Sequence, residues 1–261
     1  MATARPIVSG RRGTILLFAF SIFLLSSTLK LQGAQAPKTS ILPAPTEMFG
    51  AAERAMGSVD ALADIRSISA IAACHGPKAD YETRIISDRG GNLSFQQFFT
   101  DHKNIAGILN GRGWQLGDDG RYEWIDASET SVLRGHEFQM MAIDLRKRFR
   151  DFKTVGNAEF EGQPAIQVSM TDELGHPASA YFSTSSHLLL GLTVTNAHSG
   201  GPSPLKIRFD SWKLIGGVNV VSHVTIVAGS ETWIFDFTSL ELNAASDKEF
   251  QIPGGPTKLS E

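Results

Sequence analysis

The stretch from Val155 to Asn243 most restricts what this chain can become. It holds seven short runs: Val155–Phe160, Pro164–Thr171, Ala178–Ser183, Leu188–Asn196, Leu205–Lys213, Asn219–Ala228 and Thr232–Asn243. The connectors include FEGQP, DELGHP, STSSH and HSGGPSP, each built from residues that favour turns. Connectors this short force successive strands to pair antiparallel, because a parallel crossover needs a dozen residues or more. Upstream the same texture gives Ser67–Cys74, Ala79–Ser87, Asn92–Thr100 and Lys103–Asn110. The segment GWQLGDDGRYEWID then reads as a hairpin, Trp114–Leu116 and Arg121–Ile125, turning on Asp118-Asp119-Gly120. The expectation is a mainly β (α+β) meander of roughly eleven or twelve strands with two helices.

The first helix is expected over Glu47–Ile65, where Met48, Ala52, Ala55, Met56, Val59, Leu62 and Ile65 recur at helical spacing. The second is expected from a Ser128 cap to about Phe149. Acidic Glu129 and Glu137 precede basic Arg146, Lys147 and Arg148, which suits the helix dipole. Apolar residues cover most of its circumference, so it should be buried on more than one side.

The N-terminus reads as an export signal over residues 1–36. A basic start, MATARPIVSGRRG, leads into the apolar TILLFAFSIFLLSSTL, and Ala34-Gln35-Ala36 offers a small-residue cleavage site. Pro37 fits poorly directly after a cut, so cleavage after Ala34 and an uncleaved inner-membrane anchor are the alternatives. The general secretory route to the periplasm is expected. Residues 37–46 then read as a proline-rich linker, 47–253 as a single domain and 254–261 as a tail. The leader's cations, Arg5, Arg11, Arg12 and Lys30, leave the remainder of the chain at −7, against −3 for the whole. An acidic chain without a basic stripe gives no electrostatic footprint for nucleic acid.

The residues offer little for catalysis or for metals. Cys74 is the lone cysteine and lies in an apolar run, so a buried inert thiol is expected. The seven histidines form no zinc-type pair, and no Gly-x-Ser-x-Gly elbow occurs. GRGWQLG precedes a hairpin rather than a helix N-terminus, which argues against a phosphate loop. Neither enzymatic activity nor a metal or other cofactor is therefore expected.

What remains is an excess of apolar strand surface. In Phe209–Asn243, strict alternation puts Trp233, Phe235 and Phe237 on one face and Ile234, Leu240 and Leu242 on the other. A curved sheet has a concave face that side chains, helices or a ligand must fill. Phe182, Phe209, Trp233, Phe235 and Phe237 are the candidate cavity-wall residues.

Several stretches together resemble the bacterial LolA/LolB-like outer-membrane lipoprotein-sorting superfamily. They are AERAMGSVDALADIRSISA from Ala52, the GRGWQL hairpin, FEGQPAIQVSM with GHPASAYFSTSSHLLLGL, and the closing IRFDSWKLIGGVNVVSHVTI and FDFTSLELNAASDKEFQIP. Gly162 before a strand facing Tyr181 and Phe182, Gly216-Gly217 before Val218–Ala228, and the Leu240–Asn243, Phe250 and Pro253 closure carry the likeness. The resemblance spans roughly Glu47 to Pro253. It implies an incomplete antiparallel β-barrel of about eleven strands with helices covering the concave face. It also implies a monomeric periplasmic carrier whose partner is the acyl chain of a lipid or lipoprotein, with an envelope protein as a second partner. The founding carrier has an arginine that ties its lid shut. Arg84 and Arg208 lie on strands here, and neither has the spacing for that role. A glycolipid cargo stays open, as does a sensor or scaffold with the same fold and a filled core.

Overall fold

The computed structural model describes residues 42–198 and 201–254, excluding the side chains of 196–203. The expected leader, most of the linker and most of the tail lie outside the described residues. A thirteen-stranded antiparallel sheet forms the body. Its strands are β1 (Ser67–His75), β2 (Asp80–Asp88), β3 (Leu93–Phe98), β4 (Lys103–Leu109), β5 (Arg112–Leu116) and β6 (Tyr122–Trp124). After a helical crossing come β7 (Arg150–Phe160), β8 (Gln163–Thr171), β9 (Pro177–Ser183), β10 (Leu189–His198), β11 (Gly201–Ile215), β12 (Val218–Ala228) and β13 (Glu231–Leu242). The count of thirteen exceeds the expected eleven or twelve, although each strand falls on a run named from the sequence.

The spatial order is β6-β5-β4-β3-β2-β1-β13-β12-β11-β10-β9-β8-β7. Two meanders therefore meet at a central seam, β1 against β13, running from Ile68↔Leu242 to His75↔Ile234. β6 and β7 are the two edges, and they do not pair, so the barrel stays open.

Bulges decide which side chains face inward. On β13, Ser239 pairs with Ile71 but Phe237 pairs with Ala72, so Thr238 is an extra residue. Its hydroxyl donates to the Ile71 carbonyl at 3.2 Å. An inserted residue reverses the alternation beyond it. Leu240 therefore joins Phe235 and Phe237 in the interior, opposite buried Ala70, and Leu242 follows opposite buried Ile68. The sequence-based assignment of Leu240 and Leu242 to the opposite face is corrected by this single threonine. Asp210 on β11 and Ser222 on β12 are further irregularities, and Trp212 consequently packs inward beside Phe209.

The N-terminal helix is two helices. α1 (Pro45–Met56) begins inside the expected linker, with Pro45 in its first turn. Met48, Phe49, Ala52 and Met56 are its buried stripe, and Phe49 meets Phe152 of β7 and Phe182 of β9 edge-on. α1 ends where Gly57 bridges to Val218; a Cβ at Gly57 would sit 2.7 Å from the Gly217 carbonyl oxygen. Ser58 then caps α2 (Val59–Ala63), its Oγ accepting from Ala61 N. This break turns Val59 out to solvent, 73% exposed, where a continuous helix would have buried it.

The second expected helix is also broken. Asp126, not Ser128, caps α3 (Ala127–Arg134), in a reciprocal arrangement with Glu129. α4 (Phe138–Ile143) follows after Gly135–Glu137, and a 3-10 turn at Leu145–Lys147 leads into β7. α3 packs against β4 and β5 on one side and β10 on the other, while α4 packs against β12. The crossing thus spans the concave face from one meander to the other. The approach is close at Gly113, where a Cβ would lie 2.3 Å from Thr130 Oγ1. Thr130 instead accepts from Gly113 N at 3.2 Å and donates to the Asp126 carbonyl.

Candidate functional site

α4 is anchored by Phe138, which is wholly buried against Phe235 at 5.1 Å and Phe237 at 6.2 Å between ring centroids. The space left between this crossing and the sheet is a cavity of about 180 Å³. Its floor is apolar: Val194, Leu205, Ile207, Ile226, Trp233 and Phe235. Its roof takes Val132, Met141 and the 135–136 bend, and its polar lining comes from Tyr81 on β2, Gln97 beside it on β3, Arg148, and Asp172 and His176 of the β8–β9 turn.

The five candidate wall residues are all inside the half-barrel, but not in one place. Trp233 and Phe235 line this cavity. Phe237 packs under Phe138, Phe209 against Trp212, and Phe182 against Phe49, where it borders a smaller recess beneath α1. Alternation groups the three rings of β13 on one face, but gives neither which face is the inner one nor which ring meets open space, since that depends on where a helix from elsewhere lands.

Sequence reasoning missed His136 and Arg148. His136 packs at a tilt of 44° with its ring centroid 4.4 Å from that of Phe95, with Nδ1 3.3 Å from the Leu133 carbonyl, and burial holds its pKa down at about 4. The imidazole is therefore neutral, with Nδ1–H donating. The sequence pattern places Arg148 at a helix C-terminus. Instead it follows the 3-10 turn, and its Nη2 donates to the Ser131 carbonyl at 3.0 Å. Its Nη1 lies 3.9 Å from Met141 Sδ, and its Nε is shut off from solvent without a hydrogen-bond partner. Burial works against its charge. A basic triplet in a helical pattern gives no sign that its last member turns inward.

Met141 and Arg148 also border a second, more polar cavity of about 210 Å³, lined by Arg134 and Glu137 and by the Asp88–Gly91 turn. Glu137 Oε1 is buried without a hydrogen-bond partner, 3.8 Å from Arg134 Nη1, and burial pushes its pKa up to about 7. Arg134 also faces Glu173 at 3.6 Å.

Cys74, opposite Phe235 on the seam, is buried and donates to Thr83 Oγ1 at 3.1 Å; burial raises its pKa to about 12, which leaves an inert thiol. Among the described residues no cluster of three or more potential metal ligands occurs. An apolar pocket with a few polar groups in its lining can hold an amphipathic molecule without covalent chemistry.

No protein-family model matches the chain, and no curated protein matches it. Solved structures do match in fold. A LolA superfamily protein from Nitrosomonas europaea superposes with a TM-score of 0.57 at 9% identity, over 82% of this chain and 100% of that one. A domain assigned to outer membrane lipoprotein-sorting proteins, from Vibrio parahaemolyticus, gives 0.54 at 12%, over 78% and 96%. A DUF1329 family protein from Desulfovibrio piger gives 0.53 at 12%, over 80% and 98%. The chain has the LolA-like fold, an open antiparallel sheet with helices on its concave face.

Proposed function

We propose that this protein is a periplasmic carrier that holds an acyl chain non-covalently and takes part in cell-envelope lipid or lipoprotein traffic. The observation that carries the reading is the cavity itself, about 180 Å³ over an apolar floor and roofed by a crossing that ties the two meanders together. The lipoprotein-sorting role named for the Vibrio domain of the same fold supports it. Trp233 and Phe235 would touch the chain. Phe182, Phe209 and Phe237 would support the wall from the packed core. A cavity of roughly 150 Å³ accepts a benzene and drug-sized pockets begin near 300 Å³. The space therefore suits one chain, and a multiply acylated lipoprotein would require α3 and α4 to move outward.

The test is native mass spectrometry of protein purified from an envelope fraction, joined to titration with a fluorescent fatty acid. A co-purifying lipid or saturable binding supports the carrier. Absence of both refutes it.

The dense packing around Phe138, Phe235 and Phe237 favours a second reading, an envelope sensor or scaffold with a filled interior. That protein would retain protein partners on cross-linking and show no ligand-dependent rise in melting temperature, whereas a carrier shows one.

A further inference from the structure

The chemical class of the cargo can be narrowed, given that the carrier reading holds. Arg148 stands at the boundary between the apolar cavity and the polar one, bordering both. Glu173, Glu137 and Asp172 favour its charge from a distance and the Phe149 ring lies 5.5 Å from it, but none of these carboxylates forms an ion pair with it. Nη2 meets a main-chain carbonyl, Nη1 a thioether sulfur, and Nε is buried with nothing to donate to. The nearby carboxylates are engaged elsewhere. Glu173 faces Arg134, and Glu137 faces Arg134 as well and is held partly protonated by burial near neutral pH. Asp172 lines the apolar cavity, but its Oδ1 accepts from Leu174 N and His176 N and its Oδ2 meets His176 Nδ1 at 3.1 Å. A shielded guanidinium with no direct ion pair and an unpartnered Nε is costly, and an oxyanion within hydrogen-bond reach would offset that cost.

We propose that Arg148 is the head-group site for a single-chain anionic amphiphile, whose carboxylate or phosphate accepts from the guanidinium while its chain lies over Trp233 and Phe235. A planar guanidinium suits either oxyanion, and the otherwise idle Nε–H gains an acceptor. Neutral His136, on the wall of the same cavity, adds no competing positive charge. The volume limits the chain, and the arginine selects the head.

Isothermal titration of octanoate, octanol and inorganic phosphate at pH 7.5 tests this. The intact protein should bind octanoate at least about tenfold more tightly than octanol, as a partly buried charge pair implies. Inorganic phosphate alone should neither give heat nor displace octanoate. Arg148→Met should weaken octanoate at least about tenfold while leaving octanol within about threefold, and Arg148→Lys should recover part of the loss. The octanol arm separates loss of the head-group contact from loosening of the roof. If octanol binds as well as octanoate, if Arg148→Met weakens both alike, or if phosphate displaces octanoate, the assignment is overturned while the carrier stands. If neither octanoate nor octanol binds, both readings fall.

Discussion

Glu137 and His136 are adjacent in sequence, and burial shifts them in opposite directions, which hides a pH dependence that one substitution should reveal. The pKa of Glu137 goes from 4.5 to about 7 on folding. An acid with a raised folded value binds its proton more tightly when folded. Its contribution favours folding below pH 4.5 and is lost as pH rises toward 7. At 1.36 kcal/mol per factor of ten in proton affinity, the ionised form costs about 3 kcal/mol. His136 runs the other way, from 6.5 to about 4. Its neutral burial supports folding fully above pH 6.5 and fails as pH falls toward 4, by a similar amount. Between about pH 4.5 and 6.5 the two slopes oppose each other, so together they should leave the intact protein nearly flat there. Glu137→Gln mimics the protonated acid and removes one slope. Urea unfolding followed by tryptophan fluorescence should show the variant equal to the parent at pH 4.5 and more stable by about 3 kcal/mol at pH 8. Arg134 and Arg148 attract the carboxylate, and Glu173 and Asp88 repel it, and the raised value already reflects all four. A difference that stays constant from pH 4.5 to 8, or a Gln variant less stable at pH 8, would refute the argument, because it would mean that Glu137 is ionised and well paired.

Two other outcomes follow from packing. Phe138→Ala empties a fully buried site and should cost about 3–5 kcal/mol in contacts. Because α4 belongs to the crossing, hydrogen exchange should accelerate over 138–143 more than on β1 and β13, and uniform acceleration would contradict this. Gly113→Ala drives a methyl group onto Thr130 Oγ1 and Ile125, so it should lower the urea midpoint, with Thr130→Ala recovering part of the loss. An unchanged midpoint would mean that α3 lies farther from β5.

The strand pattern was legible because period-two runs and turn residues are local signals, and nearly every strand lies where its apolar alternation and flanking Gly, Asp or Asn put it. Local signals also explain the errors. Thr238 gives no local warning of a bulge, yet it reverses the faces of Leu240 and Leu242. Gly57 and Gly135 weaken a helix only modestly by propensity, and it is the nearby Gly217 carbonyl and the geometry of the crossing that break the two helices there. The aromatic floor could be guessed from composition and parity. The charged wall could not, because Arg148 meets Ser131 and Met141 only after the chain has turned back on itself.

The seam between β1 and β13 has a consequence for the order of events in folding. Its partners lie about 170 residues apart, and Asn243 clasps the residues leading into the first strand, its Oδ1 accepting from Arg66 N at 2.6 Å and its Nδ2 donating to the Asp64 carbonyl. Each meander can form from its own neighbouring hairpins. The join must wait for the last strand, and until then β1 and β12 each present a bare hydrogen-bonding edge. Contacts so distant in sequence make folding slow, and unpaired edges invite association with other chains. The newborn protein therefore passes through a vulnerable interval that ends only when β13 inserts, and shielding from an escort during that interval would benefit this chain more than one whose terminal strands lie at the rim.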